Sequence, residues 1–302
     1  MALNLEQNFR NFFGVDALPA LDEIFFDNYE QAEDPRKMLF NMESTDRELV
    51  QKAGVTSLGL LNIVSEASQA PKDSFNQSFS KNYSILKLAK AIGISDEMIQ
   101  DDRFDMIAKM VKSLARSSRE TQQFTAMNIF NNAFGSEQSW DGVSIISASH
   151  PTEVGNQSNL LTAADLSYSS LAVAEQLFRS FQDGRGKQLL IKPKYLLVSE
   201  SDRQNAIEIV QSPYKAGTAN NNVNALGVDG GLTVISSPYL TDSDAWFLLS
   251  DPMDHGLRII DRQSLTTKMD EDVLAGVMYY KAQYRQALGC DEWRGIAGNQ
   301  GV

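Results

Sequence analysis

The stretch from residue 103 to residue 134 constrains the fold more than any other. Phe104, Ile107, Val111 and Leu114 recur every three or four residues, Asp101 and Asp102 stand where carboxylates cap a helix start, and Gly135 follows the end. The spacing predicts one long helix over 103–134, which needs a body large enough to cover one of its faces. Lys109, Lys112, Arg116 and Arg119 fall on the opposite side at the same spacing. This basic stripe reads either as a solvated face with acidic neighbours or as a non-specific contact to nucleic-acid phosphates.

The chain of 302 residues, 42% apolar, supplies such a body as one large or two modest cores. It carries 39 acidic against 27 basic residues, a net charge of -12, which argues against a sequence-reading nucleic-acid binder or a polybasic membrane protein. No stretch approaches the roughly 18 apolar residues of a membrane span, and the opening Met1-Ala-Leu-Asn-Leu-Glu6 lacks the pattern of a secretory leader, so a cytosolic product is expected. The single cysteine, Cys290, excludes an internal disulfide, a multi-cysteine zinc site and a CxxC pair. His150 and His255 are the only histidines, which leaves little room for histidine chemistry.

Elsewhere the chain alternates strand and helix signals. Phe9, Phe12 and Phe13 precede Leu18, Leu21, Ile24, Phe25 and Asn28, whose spacing predicts a short amphipathic helix with an acidic outer face, an arm packed on protein rather than on a membrane. Residues 41–84 predict a long hairpin from the runs 55–64 and 75–83 around Ala70-Pro71-Lys72-Asp73. Its second run aligns Phe75, Gln77, Phe79, Lys81 and Tyr83 on one face, too polar for a core and too aromatic for water. A strand is expected at 142–148, then a helix opened by the capping box Thr162-Ala-Ala-Asp165, a strand over 189–198 and a helix capped by Ser199-Glu-Ser-Asp202. A long Gly- and Asn-rich loop over 216–224, including Asn220 and Asn221, leads to strands at 232–236 and 245–249. Residues 273–288 predict a half-buried strand with Leu274, Met278, Tyr280, Ala282 and Tyr284 on one face. The order describes a mixed α+β chain whose compact middle is inserted between the long helix and the last strand.

Chemical signatures are sparse. Gly184-Arg-Gly-Lys187 fails as a phosphate loop, since Phe181 stands where glycine belongs and Gln188 follows the lysine, and it reads as a turn. Asp96, Glu97, Asp101, Asp102 and Asp105 form the densest carboxylate group, but helix starts favour negative charge in any case. Cys290 with His255 is the one thiol dyad available, and a small buried cysteine is the expected role. No metal or cofactor is implied. The unusual sequence lies in an aromatic arm, a long hairpin and a long loop, devices for contacting other subunits.

Asp141-Gly142-Val-Ser-Ile-Ile-Ser-Ala-Ser-His150-Pro151 with Gly155-Asn156, then Lys192-Pro193-Lys194-Tyr-Leu-Leu-Val198, Gly217-Thr-Ala-Asn-Asn-Asn-Val-Asn224, Val234-Ile-Ser-Ser-Pro-Tyr-Leu240 and Asp244-Ala-Trp-Phe-Leu-Leu-Ser-Asp251 together resemble the major capsid proteins of tailed bacteriophages. The order of elements over residues 90–295 is similar to the Hong Kong 97-type fold, in its Mu-type major head subunit branch. The resemblance implies an N-terminal arm at 1–40 and an extended hairpin loop at 41–84. It implies a peripheral domain from 85–160 and 256–302 with the spine helix 103–134, and an axial domain at 161–255.

The function so implied is a structural, self-assembling major capsid protein, not an enzyme. Its hexamers and pentamers would form an icosahedral phage head around double-stranded DNA, put together in the bacterial cytoplasm and found in the virion. Expected partners are further copies of itself, a scaffolding protein, a portal at one vertex and a decoration protein. Phe9, Phe12, Phe13, Phe75, Phe79, Tyr83, Asn220 and Asn221 are the expected interface residues. Lys109, Lys112, Arg116 and Arg119 would face DNA or pair with a neighbour. Covalent crosslinking is not expected, because no Asn partner is marked for Lys52, Lys72 or Lys81. Two alternatives stay open: the shell of an encapsulin-like cellular nanocompartment, and a metal-dependent hydrolase using Asp101, Asp102 and Asp105.

Overall fold

The computed structural model describes residues 17–30, 34–55, 61–64, 66, 68–69, 71–73, 77–101, 104–214, 223–226, 231–272 and 274–302. Helices α1 (Ala17–Glu30) and α2 (Arg36–Leu39) lead into strands β1 (Asn41–Ser44), β2 (Leu49–Val55), β3 (Gln77–Ser84) and β4 (Leu86–Ser95). Helices α3 (Asp96–Gln100) and α4 (Phe104–Asn131) follow, then the small ribbon β5 (His150–Thr152) and β6 (Gly155–Gln157). The middle holds α5 (Tyr168–Ser180), β7 (Tyr195–Ser199), α6 (Arg203–Gln211), β8 (Thr233–Ser237) and β9 (Trp246–Leu249). Two long strands, β10 (Leu257–Asp272) and β11 (Val277–Cys290), precede the short β12 (Ile296–Asn299).

Two four-stranded sheets organise these elements, with orders β1-β10-β11-β4 and β12-β9-β7-β8. In the first, β1 runs parallel to β10 while β10, β11 and β4 are antiparallel; in the second, only β7 and β8 are parallel. The second sheet is covered on both faces. Leu197, Phe247, Leu249 and Ile235 face the C-terminal half of α4, whereas Leu196, Val198, Trp246 and Leu248 face α5 and α6 through Leu171, Phe178, Ala206 and Ile209.

The 28-residue α4, about 42 Å long at 1.5 Å per residue, joins the two sheets. Ile107, Val111, Leu114 and Ala115 in its first half share a core with Leu21 and Phe25 of α1 and with Ile94, Tyr280 and Ala282 of the first sheet. Ala126, Met127, Ile129 and Phe130 in its second half share another with Phe40, Phe247, Leu257 and Ile296. Leu21 and Phe25 are fully buried, each contributing about 1.5–3 kcal/mol by leaving water. Asp22 adds a polar tie, its Oδ1 accepting from Thr267 Oγ1 and Tyr280 Oη, both at 2.6 Å.

Beside β12 and the segment before it lies a buried polar node. His150 Nδ1 is 2.7 Å from Asp141 Oδ2, and Nε2 is 3.1 Å from Asn159 Oδ1. Asn159 Nδ2 donates to the carbonyls of Ile145 and Ile296, which fixes its Oδ1 as the acceptor facing the ring. Both ring nitrogens therefore lie within hydrogen-bond distance of a buried side-chain oxygen. The ring stacks on Trp293 with centroids 4.2 Å apart. His255 is the opposite case: its Nδ1 accepts the Leu257 N–H at 3.2 Å, and burial pushes its pKa down to about 4.

Several expected boundaries move. The helix predicted over 103–134 runs over Phe104–Asn131. Residues 142–148 form turns instead of a strand, because the Ile145 and Ile146 N–H groups donate to Glu137 and Ala133 carbonyls and both side chains enter one core. No helix opens at Thr162, where Asn299 takes the Thr162 carbonyl and the Ala164 N–H; Ser167 and Ser170 form the capping box instead. Asp202 stands at the N-cap of α6 without a side-chain cap bond. The hairpin pairs Leu49–Val55 with Gln77–Ser84, and residues 61–64 are not strand. The last long strand begins at Val277, leaving Leu274 fully exposed in the turn before it.

Three outcomes follow. Asp22→Ala should cost about 1–3 kcal/mol by leaving the Tyr280 hydroxyl buried and unpaired, read as an earlier urea midpoint. His150→Ala should cost about 1–3 kcal/mol in the same assay, because Asp141 Oδ2 stays buried without its hydrogen-bond partner. His255 binds a proton in the unfolded chain near pH 6.5 but resists one in the fold until about pH 4, so stability declines as pH falls through that window. About 3 kcal/mol rides on it, and His255→Gln should flatten the slope of urea midpoint against pH.

Candidate assembly interface

The chemistry-bearing residues do not converge. Cys290 is buried, its thiol donates to the Glu292 carbonyl at 3.2 Å, and burial pushes its pKa well up. His255 Nδ1 is occupied by the Leu257 N–H and its Nε2 is buried. Asp96 and Glu97 lie in the first turn of α3 and Asp105 in that of α4, complementing the helix dipoles; Asp102 lies outside the described residues. Among the described residues no three His, Cys, Asp or Glu side chains are grouped to hold a metal ion. Around Gly184, Asp183 Oδ1 accepts the N–H groups of Arg185 and Lys187, which makes the cluster a side-chain-closed turn.

Surface features are more pronounced. Leu61 and Ile63 beyond β2, Leu190 in the loop after α5 and Leu274 at the β10–β11 turn are all essentially fully exposed. Each lies outside a helix or strand. The hairpin β2–β3 is anchored at its base: Lys52 pairs with Glu43 at 2.6 Å, and Lys81 with Glu137 at 3.2 Å and the Gln138 carbonyl. Two glycines make the fit close. A Cβ on Gly54 would lie 2.2 Å from the Trp140 ring, and one on Gly289 would lie 2.9 Å from that of Tyr83. The anchor is continued by Arg258, which bridges Glu43 and Asp291.

The expected interface residues divide. Phe79 is exposed on the hairpin, but Tyr83 is buried against Ile260 and Ala287 of the first sheet, so the hairpin base consumes it within the chain. Phe9, Phe12, Phe13, Phe75, Asn220 and Asn221 lie outside the described residues. The basic stripe on α4 divides as well. Arg116 pairs with Glu120 at 2.7 Å, Arg119 donates to the carbonyls of Asn28 and Tyr29 and so caps α1, and Lys109 and Lys112 are exposed. The Asp141–His150–Asn159 node was not read from the sequence as a unit, although Asp141 and His150 both stand in the segment that carried the family resemblance. No local pattern marked it, since the run from Asp141 to His150 also holds Ser144, Ser147 and Ser149.

Comparison with solved structures finds the same fold at low identity. A chain from Microbacterium phage Oxtober96 is 10% identical, with 87% of this chain and 90% of that chain covered at a TM-score of 0.56. The capsid of Myoviridae phage XM1 is 12% identical, over 88% and 90%, also at 0.56. A virus-like particle from Pyrococcus furiosus is 10% identical, over 94% and 100%, at 0.57. No curated protein sequence matches the chain. The family model described as phage capsid protein matches residues 78–299, well over half of the chain and nearly all of both sheets. With that match, and with the Hong Kong 97-type fold seen in the phage capsids, the chain belongs to the phage capsid protein family and is a structural major capsid shell protein.

Proposed function

We propose that this subunit builds an icosahedral phage head through hexamers and pentamers, encloses double-stranded DNA and has no catalytic site. The observation that carries this reading is the anchored hairpin with fully exposed Leu61 and Ile63 beyond its first strand. Apolar side chains held in water on a firmly rooted projection have no stabilising role in a lone subunit, and a neighbouring copy that covers them gives them one. Many modest contacts of this kind sum to a closed shell.

The domain division fits the same reading. It divides the chain into an arm at 1–40, the hairpin loop within 41–84, a peripheral part around β10, β11 and α4, and an axial part around the second sheet. Two strands cross those limits: Asn41–Ser44 pairs with β10, and Ile296–Asn299 with β9. Lys109 and Lys112 remain available for salt-sensitive contact with DNA or with an acidic neighbour. A scaffolding protein, a portal, a decoration protein and assembly in the host cytoplasm complete the proposal. The Pyrococcus virus-like particle supports a second reading, a cellular compartment of the same fold, and the nucleic-acid content of purified particles separates the two.

Leu61→Asp with Ile63→Asp tests the hairpin directly. Both positions are solvent-exposed, so the unfolding free energy of the subunit, read from urea melts, should stay within about 0.5 kcal/mol of the parent. Closed particles in electron micrographs should disappear; particles of normal size and number would refute the role of the hairpin.

A further inference from the structure

The first sheet has a second charged surface, on the face opposite α4. Register places Lys268 directly beside Lys281, and Arg285 directly beside Lys87. All four side chains share one face, because Tyr280, Ala282 and Tyr284 alternate with them and point to the helix side. Like charges directly opposite on adjacent strands are destabilising, and here two such pairs stand about 14 Å apart along β11. None of the four makes an ion pair among the described residues, and Arg285 Nε is buried without a hydrogen-bond partner. Four uncompensated cations on a chain of net charge -12 call for an anion from outside.

The same hairpin carries the complementary charge at its end. Asp270, Glu271 and Asp272 are exposed at the tip of β10, and Asp96 and Glu97 of α3 stand beside them, tied in by the Asp96 N–H donating to the Gly276 carbonyl at 3.1 Å. Fully exposed Leu274 crowns the tip. The sheet is thus dipolar along its length, cationic in the middle and anionic at the tip. We infer that the acidic β10–β11 tip of one copy docks on the Lys87, Lys268, Lys281 and Arg285 face of a second copy. The contact is heterologous, one surface meeting a different one, and so it propagates around a ring. It answers how subunits that repel one another overall come together: attraction is concentrated where tip meets face.

The inference rests on the shell reading, and the experiment separates the two. Self-association of the full chain is followed by light scattering and electron microscopy at several salt concentrations, for the parent and three variants. Lys268→Glu with Lys281→Glu reverses the face; Asp270→Lys, Glu271→Lys and Asp272→Lys reverse the tip; the third variant carries all five changes. Each reversal alone should raise the protein concentration needed for assembly by about tenfold or more, and the five-fold swap should restore it toward the parent value. Circular dichroism establishes that each variant is folded. A parent that never assembles refutes the shell reading itself. If the parent assembles and the reversals leave assembly unchanged, the docking is refuted. Loss of assembly without rescue in the folded swap also refutes it. Reversals that abolish only DNA binding, measured by salt-dependent gel shift, assign the face to phosphates instead.

Discussion

The apolar stripe of α4 is the constraint on which the remaining structure depends. One helix cannot be split between two independent bodies without each losing half its core, so the first sheet and the second are held in one frame by Ile107 to Leu114 at one end and Met127 to Phe130 at the other. The N-terminal helix closes the open side of the first half, and Arg119 spends its charge on the exposed carbonyls at the end of α1. The buried Asp141–His150–Asn159 node and the Trp293 ring then fix residues 141–159 against β12 and the segment before it. Buried polar groups of this kind hold position through satisfied geometry more than through net energy.

What could be read from the residues follows from how local the governing interactions are. The long helix was legible because its period survives whatever it packs against, and the N-terminal helix because Leu21 and Phe25 lie on one face. The family followed from the order of elements. The β10 strand was missed because register shifts between Asp261, Gln263 and Thr266 break its alternation, and β4 because Lys90 interrupts the apolar face formed by Leu88, Ile92 and Ile94. Residues 142–148 imitate a strand, yet Ile145 and Ile146 are both buried side by side, which no strand facing one core permits. At Thr162 local capping chemistry lost to Asn299, a residue 137 positions away. The interface residues were the least legible, since Tyr83 and Phe79 have the same kind of neighbours in sequence and opposite fates in the fold.

Charge is distributed unevenly for a shell subunit. Cations near the hairpin base are neutralised within the chain, as Lys52, Lys81 and Arg258 are, which gives the projection a fixed root. Among the described residues, the cations Lys87, Lys268, Lys281 and Arg285 on the open face of the first sheet are left unmatched. A protein with an overall excess of acid can afford few positive groups, and where they are placed decides which surfaces of two copies attract. Fixed geometry at the root and attraction on the open face are complementary demands of building a closed container from one kind of chain.

The pairing of β1 with β10 has a kinetic consequence. Asn41 lies beside Arg258, and the second sheet is completed only by Ile296–Asn299. Contacts spanning so much of the chain make folding slow and leave unpaired strand edges waiting while translation proceeds. The first sheet closes only after residues through Cys290 have left the ribosome and the second only after Asn299, so partly made chains lack the finished surfaces by which subunits recognise one another. Delayed closure of this kind would keep nascent chains on one message from joining a growing lattice before they are complete.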